Sequence, residues 1–308
     1  MIVLLGSTGY VGKAFSRHLE ASKIACITCS RVEFDYSTKS GLTRLLLSHK
    51  PDFVVNCAGY TGKPNVDACE LDKGNCLDGN SVLPGVIRDV CEELGIRWGH
   101  VSSGCIFSGE RPGGGGWKEE DAPNFSFRRP PCSFYSGTKA LGEEILGWNE
   151  GDPSGDCLKW VHESEPSGYV WRLRIPFNEE DSSRNYLSKL QRYDRLLDAR
   201  NSLSQLDDFV KACIDCWMQG VPLGIYNVTN PGSVTTREVI ELIKKAGVLE
   251  KEFSFFETEE EFMSKATIAP RSNCVLDDSK LARAGVVMRP VKEALEYSLA
   301  NWKKESFI

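Results

Sequence analysis

The chain has 308 residues, 41% hydrophobic and 26% charged, the balance of an ordinary globular protein. Its length fits one large domain or two intimately joined ones. A formal net charge of −6 and a pI near 5.5 count against a binder of nucleic-acid backbones, and no apolar run approaches the roughly 18 residues a membrane helix needs.

Strand and helix patterns alternate from the start. MIVLLG is predicted as a strand, too short for the core of a signal peptide, and KAFSRHLEAS as a helix with one apolar face. IACITCS, DFVVNCAG and IRWGHVSS are further strands, separated by the helical patterns GLTRLLLSHK and VLPGVIRDVCEELG. TKALGEEILGW is the next helix, GYVWRLRIP another strand, and DDFVKACIDCWMQG a helix returning to the first half. Apolar strands bounded by turns and alternating with helices predict an α/β protein with a Rossmann-type, doubly wound parallel sheet. Residues 1–175, with about 201–228, are expected to form the dinucleotide-binding domain. Residues about 176–200 and 229–308 are expected to form a smaller, mostly helical substrate domain. Segments 109–133 and 149–168 read as long loops rich in Gly, Pro and charge.

Between the first strand and first helix, GSTGYVG sets Gly6, Gly9 and Gly12 in a turn that suits a pyrophosphate at a helix N-terminus, with Thr8, Tyr10 and Val11 beside them. A tight turn without a ligand is the plainer alternative. The second strand ends in Ser30 and Arg31 rather than an acid, and Asp35 follows where an adenine contact is available. Arginine at that point suits the 2′-phosphate of NADPH, which is expected over NADH, although a solvated surface arginine is the competing reading. Cys57, Ala58 and Gly59 close the third strand at the edge where a dinucleotide would lie, and Tyr60 and Thr61 follow them.

SFYSGTKALGEE places Tyr135 and Lys139 four residues apart, on one face of a helix. An ammonium there would lower the phenol's pKa and help it exchange a proton with a carbonyl oxygen. Ser103, at the end of the preceding strand, is within reach of the same carbonyl, and strand alternation predicts Cys105 on the same side as Ser103. Twelve cysteines scattered over a large chain predict free thiols in a reducing compartment, hence the cytoplasm. The CxxC pairs Cys26/Cys29 and Cys213/Cys216 have no histidine couple or second pair nearby, so core packing is expected and no metal site.

In this order the motifs resemble an extended short-chain dehydrogenase/reductase. NCAGYTGKPNVDACE, SSGCIF, GWKEEDAPNF, SSRNYLSKLQRY, YNVTNPG and APRSNCVLD together resemble the plant-type nucleotide-rhamnose synthase/epimerase-reductases and, more distantly, the dTDP-4-dehydrorhamnose reductases. The resemblance implies a nucleotide-linked 4-keto-6-deoxyhexose substrate, UDP or dTDP, inverted at C3 and C5 and then reduced at C4 with NADPH. It implies Ser103, Tyr135 and Lys139 for the reduction, and Cys105 and Lys189 for acid–base exchange at the neighbouring carbons. Thr61 is a further candidate at the substrate end, and the resemblance adds Asn65, Asp67, Arg174, Asn185 and Arg271 for the sugar and diphosphate. It implies a separate 4,6-dehydratase as supplier and allows a homodimer, with no nucleic-acid or membrane partner. FSFRRPPCSFY and NEGDPSGDCLKWVHESEPSG are longer than the plant pattern. Two readings stay open beside the bifunctional one: a plain 4-reductase in which Cys105 is a passenger, and a non-catalytic NADP-binding regulatory subunit.

Overall fold

The computed structural model describes residues 1–151 and 157–303. Its centre is a six-stranded sheet of β1 (Ile2–Leu5), β2 (Cys26–Cys29), β3 (Phe53–Asn56), β4 (Arg97–Ser103), β5 (Gly168–Leu173) and β6 (Gly224–Asn227). All neighbours pair in parallel, in the order β2-β1-β3-β4-β5-β6. The chain therefore reverses its direction of travel between β1 and β3, and the crevice outside their carboxyl ends is the natural ligand position in such a sheet. This is a Rossmann-type α/β architecture.

The longer helices are α1 (Tyr10–Ala21), α2 (Lys39–His49), α3 (Leu83–Glu93), α4 (Phe134–Ile145), α5 (Tyr186–Arg192), α6 (Leu206–Met218), α7 (Thr236–Lys245), α8 (Glu259–Ala266) and α9 (Val291–Ala300). Their starts are written in the sequence. Thr38, Ser133, Asn185 and Gln205 each accept a hydrogen bond from a first-turn amide of α2, α4, α5 and α6, and Thr235 with Glu238 forms a capping box on α7. Strand alternation divides the core in two. Ile2, Leu4, Phe53 and Val55 meet Phe15 of α1 and Phe209 of α6, whereas Val3, Leu5 and Val54 meet Leu42 of α2 and Ile87 of α3. Both CxxC pairs lie in these apolar layers. A third core joins Phe177, Leu187, Val239, Ile243 and Leu295, from α5, α7, α9 and the short strand Pro176–Phe177.

One buried ion pair ties α4 to the sheet. Arg172 of β5 donates from Nη2 and Nε to the Glu143 carboxylate of α4 at 2.7 and 3.0 Å, and Ser102 of β4 donates to the same carboxylate at 2.7 Å. Neither Arg172 nor Glu143 is reached by solvent, and the guanidinium also lies over the Phe107 ring.

The two segments expected as loops are more ordered than their composition predicts. Trp148–Glu150 pairs antiparallel with Trp160–His162, so the longer insertion forms a ribbon; its residues 152–156 lie outside the described residues. The ribbon is stitched to the other segment: Ala122 donates to the Leu158 carbonyl, Trp160 to the Glu120 carbonyl, and Arg129 pairs with Glu150. Residues 109–117 in turn run beside 273–276, with Trp117 N–H on the Val275 carbonyl. Glycine and proline obscured this order in the sequence because the pairing partners are distant.

Removing one member of a buried ion pair strands a charge, whereas replacing both by apolar groups removes the need for either. Arg172→Met alone is expected to lower unfolding stability by about 3–5 kcal/mol. The double variant Arg172→Met/Glu143→Leu should lose less than the single one, as read by urea denaturation.

Candidate active site

The glycines after β1 have separable duties. Gly6 has φ +78°, and a Cβ there would stand 2.5 Å from the Ala58 amide, so β1's exit can pack against β3's only without a side chain. Gly12, inside the first turn of α1, would place a Cβ 2.2 Å from the Gly6 carbonyl oxygen. Gly9, the N-cap of α1, is exposed beside Thr8, and a Cβ there would meet nothing closer than 3.4 Å. The space over Gly9, at the amide end of a twelve-residue helix, is therefore open to an anion, and these residues fit the pyrophosphate of a dinucleotide. Tyr10 and Val11 belong to α1 itself, and the Tyr10 hydroxyl donates to Asn178 at 2.8 Å.

At β2's exit the sequence hid an acid. Glu33 folds back and accepts from both the Ser30 amide and the Ser30 hydroxyl, at 3.2 and 2.7 Å, so Ser30 is engaged within the turn. Arg31 is exposed and reaches the Tyr36 hydroxyl. Asp35 is exposed too and accepts from the Ser37 amide and hydroxyl.

β3 ends on a fixed amide. Asn56 accepts from the Ala58 N–H, which orients its NH2 to donate to His100 Nδ1 at 2.9 Å, and burial holds that histidine neutral. Cys57, Ala58 and Gly59 follow, and a Cβ on Gly59 would lie 3.1 Å from Asn80 Oδ1 and 3.5 Å from Lys139 Nζ. Asn80 is a residue the sequence reading missed. It accepts from the Tyr60 N–H and donates to the Tyr60 carbonyl and the Thr138 hydroxyl, joining β3's exit to α4. It sits in a π-helical turn, Asp78–Val82, just before α3, ahead of the helix predicted from VLPGVIRDVCEELG. The Tyr60 hydroxyl donates to Asp72 at 2.6 Å.

Ser103, Cys105, Tyr135 and Lys139 come together at the ends of β4 and α4. Cys105 reaches this point differently from the expectation. β4 stops at Ser103, and Gly104–Ile106 forms a 3₁₀ turn whose Cys105 amide donates to Ser103 Oγ at 3.2 Å. The turn, not strand alternation, brings the thiol beside Ser103. Burial pushes the Cys105 thiol up, while Ser103, Ser136 and the Arg174 and Lys139 cations draw it back in part. Burial also raises the Tyr135 phenol well above its ordinary value, with Cys105 adding to the rise and Ser103 opposing it. The phenol is thus raised by desolvation rather than lowered by Lys139 as expected. Lys139 itself is lowered by burial, and its ammonium lies 3.4 Å from the Val101 carbonyl.

The candidates for substrate contact divide. Asn185 is fully buried, caps α5 and donates to the Asn178 and Glu180 carbonyls, so its side chain is spent within the fold. Arg174, also buried, donates to Asn201 Oδ1 and the Ser272 carbonyl, yet its Nε has no partner. Asn65 accepts from the Asp67 amide, and Thr61 is exposed. Asp67 and Arg271 pair with each other through two hydrogen bonds of 2.7 Å. Burial would raise the Asp67 carboxyl, but Arg271 and the Ala269 and Ile268 amides hold it below its ordinary value. Lys189, on α5, is lowered by burial and by the neighbouring Arg184 and Arg271. Beyond these residues a cleft of about 620 Å³ opens between Phe125, Pro131 and the α8–Arg271 segment, with Met263 and Ile268 on its wall.

Comparison with known proteins places this arrangement. The family model described as RmlD substrate binding domain matches residues 1–304. A bifunctional dTDP-4-dehydrorhamnose 3,5-epimerase/dTDP-4-dehydrorhamnose reductase of Arabidopsis thaliana is 32% identical over 298 residues, covering 95% of this chain and 90% of that protein. A trifunctional UDP-glucose 4,6-dehydratase/UDP-4-keto-6-deoxy-D-glucose 3,5-epimerase/UDP-4-keto-L-rhamnose-reductase of the same plant is 32% identical over 98% of this chain, which spans 42% of its length. The crystal structure of the L780 UDP-rhamnose synthase of Acanthamoeba polyphaga mimivirus shares the fold with a TM-score of 0.84 at 22% identity, covering 97% of this chain and 98% of that one.

The glycine turn yields a direct test. Gly12→Ala is expected to lower the melting temperature because its methyl meets backbone, whereas Gly9→Ala should melt with the parent and lose affinity for dinucleotide. Thermal melting and dinucleotide titration of the two variants check this.

Proposed function

The chain belongs to the RmlD substrate binding domain family, and on that premise we propose that it is an NADPH-dependent 3,5-epimerase/4-reductase of nucleotide-linked 4-keto-6-deoxyhexoses, forming a rhamnose-type nucleotide sugar. The observation that carries this reading is the convergence of Ser103, Cys105 and Tyr135 at one point, with Lys139 beneath them. The open turn over Gly9 and the exposed Arg31 support NADPH as the dinucleotide, with Lys139 beneath the nicotinamide ribose. When bound, that cofactor supplies the hydride for C4.

The proton affinities suit the chain's own part in the reaction. A Tyr135 held protonated is an acid, ready to donate to the C4 oxygen as that oxygen gains negative charge, with Ser103 donating beside it. The 4-keto group acidifies the protons on C3 and C5, because the carbanion left behind delocalises onto the same oxygen. Lys189, lowered below an ordinary lysine, is the base that takes such a proton, and Cys105, raised by burial, is the thiol that returns one. The charged groups acting on Cys105 are Arg174 and Lys139, and those acting on Lys189 are Arg184 and Arg271. Groups with separate surroundings are what inversion of a ring carbon requires, since removal and return occur on opposite faces. The keto sugar would be the product of a 4,6-dehydratase reaction.

Proton NMR of UDP- and dTDP-4-keto-6-deoxyglucose with the protein in D2O and NADP⁺ tests the reading. Deuterium is expected at C3 and C5, with a rate that rises with pH as Lys189 loses its proton and levels off below the ordinary lysine range. Lys189→Met and Cys105→Ala should each slow the exchange by roughly a hundredfold or more and leave reduction of a pre-epimerised sugar standing, whereas Tyr135→Phe should remove the reduction. Reduction of a pre-epimerised sugar by NADPH, with no deuterium uptake under NADP⁺, would leave a plain 4-reductase, and the epimerase assignment would be wrong.

A further inference from the structure

Arg184 enters the chemistry above only through its charge on Lys189, yet its own side-chain contact lies on the Gly62–Asp67 loop. It precedes the α5 cap Asn185, and its Nη2 donates to the Gly62 carbonyl at 2.6 Å. Gly62 begins a tight turn: its φ is +66°, and a Cβ there would stand 2.5 Å from the Asn65 carbonyl oxygen. Asp67, at the far end of the same turn, holds Arg271 through both carboxylate oxygens. One small loop thus gathers two arginines from distant parts of the chain. Lys189, on the α5 helix that Arg184 leads into, feels the charge of both. Of the two guanidiniums on the loop, Arg271 is paired with the Asp67 carboxylate and Arg184 donates to a neutral carbonyl, so the loop carries a positive charge. Arg271 also stands in the lining of the 620 Å³ cleft, whose wall carries Phe125, Met263 and Ile268 together with Glu259 and Glu260 at the start of α8. A slot with an apolar wall that ends at Arg271, with Arg184 on the adjoining turn, fits a nucleoside joined to a diphosphate.

We propose that Arg184 is a substrate-binding residue which, with Arg271, clamps the diphosphate of the nucleotide sugar against the Gly62–Asp67 turn while the nucleoside lies in the cleft. This rests on the nucleotide-sugar reading given above. Arginine is suited to the task because its fork makes two hydrogen bonds to one phosphate and Arg184 spends one donor on Gly62. The same charge acts on Lys189. The groups facing that lysine are Arg184 at the start of its own helix and Arg271 from the segment after α8, the latter paired with Asp67. A diphosphate alone would favour the ammonium form; the two guanidiniums offset it and keep the lysine usable as a base.

The test is calorimetric titration of UDP and dTDP, with uridine followed by NMR, into the intact chain and its Arg184→Gln and Arg184→Lys variants. Arg184→Gln should weaken UDP at least tenfold and leave uridine and NADPH binding at the parent level, and Arg184→Lys should recover part of the loss. Deuterium exchange at C3 and C5 should shift its rising limb to higher pH in Arg184→Gln and much less in Arg184→Lys. Parent-like UDP affinity in Arg184→Gln overturns the proposal. So does an equal fall in UDP and uridine affinity, which would make Arg184 a support of the loop alone. If neither UDP nor dTDP binds the parent chain, the nucleotide-sugar reading itself fails.

Discussion

The Arg172–Glu143 ion pair sets the spacing on which the site depends. Ser102 and Ser103 are neighbours on β4; the first donates to Glu143 and the second stands at the strand's exit facing Tyr135. Because Glu143 lies on α4 one turn beyond Lys139, the pair fixes both the depth and the rotation of the helix that carries tyrosine and lysine. A salt bridge without solvent gains little stability over apolar packing. Its value here is geometric: two parallel hydrogen bonds from a rigid guanidinium leave α4 one seat on the sheet. Asn80 performs a similar service at the other edge, holding the Tyr60 backbone against Thr138 of α4.

Desolvation is the common electrostatic theme. It raises Tyr135 and Cys105 and lowers Lys139, Lys189 and His100, so the empty site tends toward neutral side chains. Guanidinium charge lies beside these groups, Arg174 acting on Cys105 and Arg184 and Arg271 acting on Lys189. Burial thus disfavours the charged forms of the site's acids and bases, and the arginines add positive charge next to them.

Much of this was legible in the chain. Apolar strands of continuous type, the glycine turn after β1 and the four-residue step from Tyr135 to Lys139 are local signals, and the sheet and the converging residues follow from them. What escaped was set by distant partners. The 3₁₀ turn that seats Cys105 depends on Ser103 as its cap, and the strand period gave no warning of it. Glu33 drew no notice in the sequence, and the fold turns it back onto Ser30. Asp67 and Arg271 were each chosen as ligands of substrate, but 204 residues of separation concealed that they are partners of each other. Asn80 carried no motif, since three of its contacts lie on two other elements.

The ribbon Trp148–Glu150/Trp160–His162 has a further consequence. Its hydrogen bonds to Glu120 and Ala122 tie the ribbon to the segment just ahead of the other long stretch, and the Arg129–Glu150 pair joins the two stretches themselves. Without the ribbon, the 118–131 segment would expose backbone groups it now satisfies; without that segment, the ribbon would be a lone hairpin, which is marginal in water. The ribbon and the 118–131 segment are therefore one structural unit. A chimera that borrows one from this chain must borrow both.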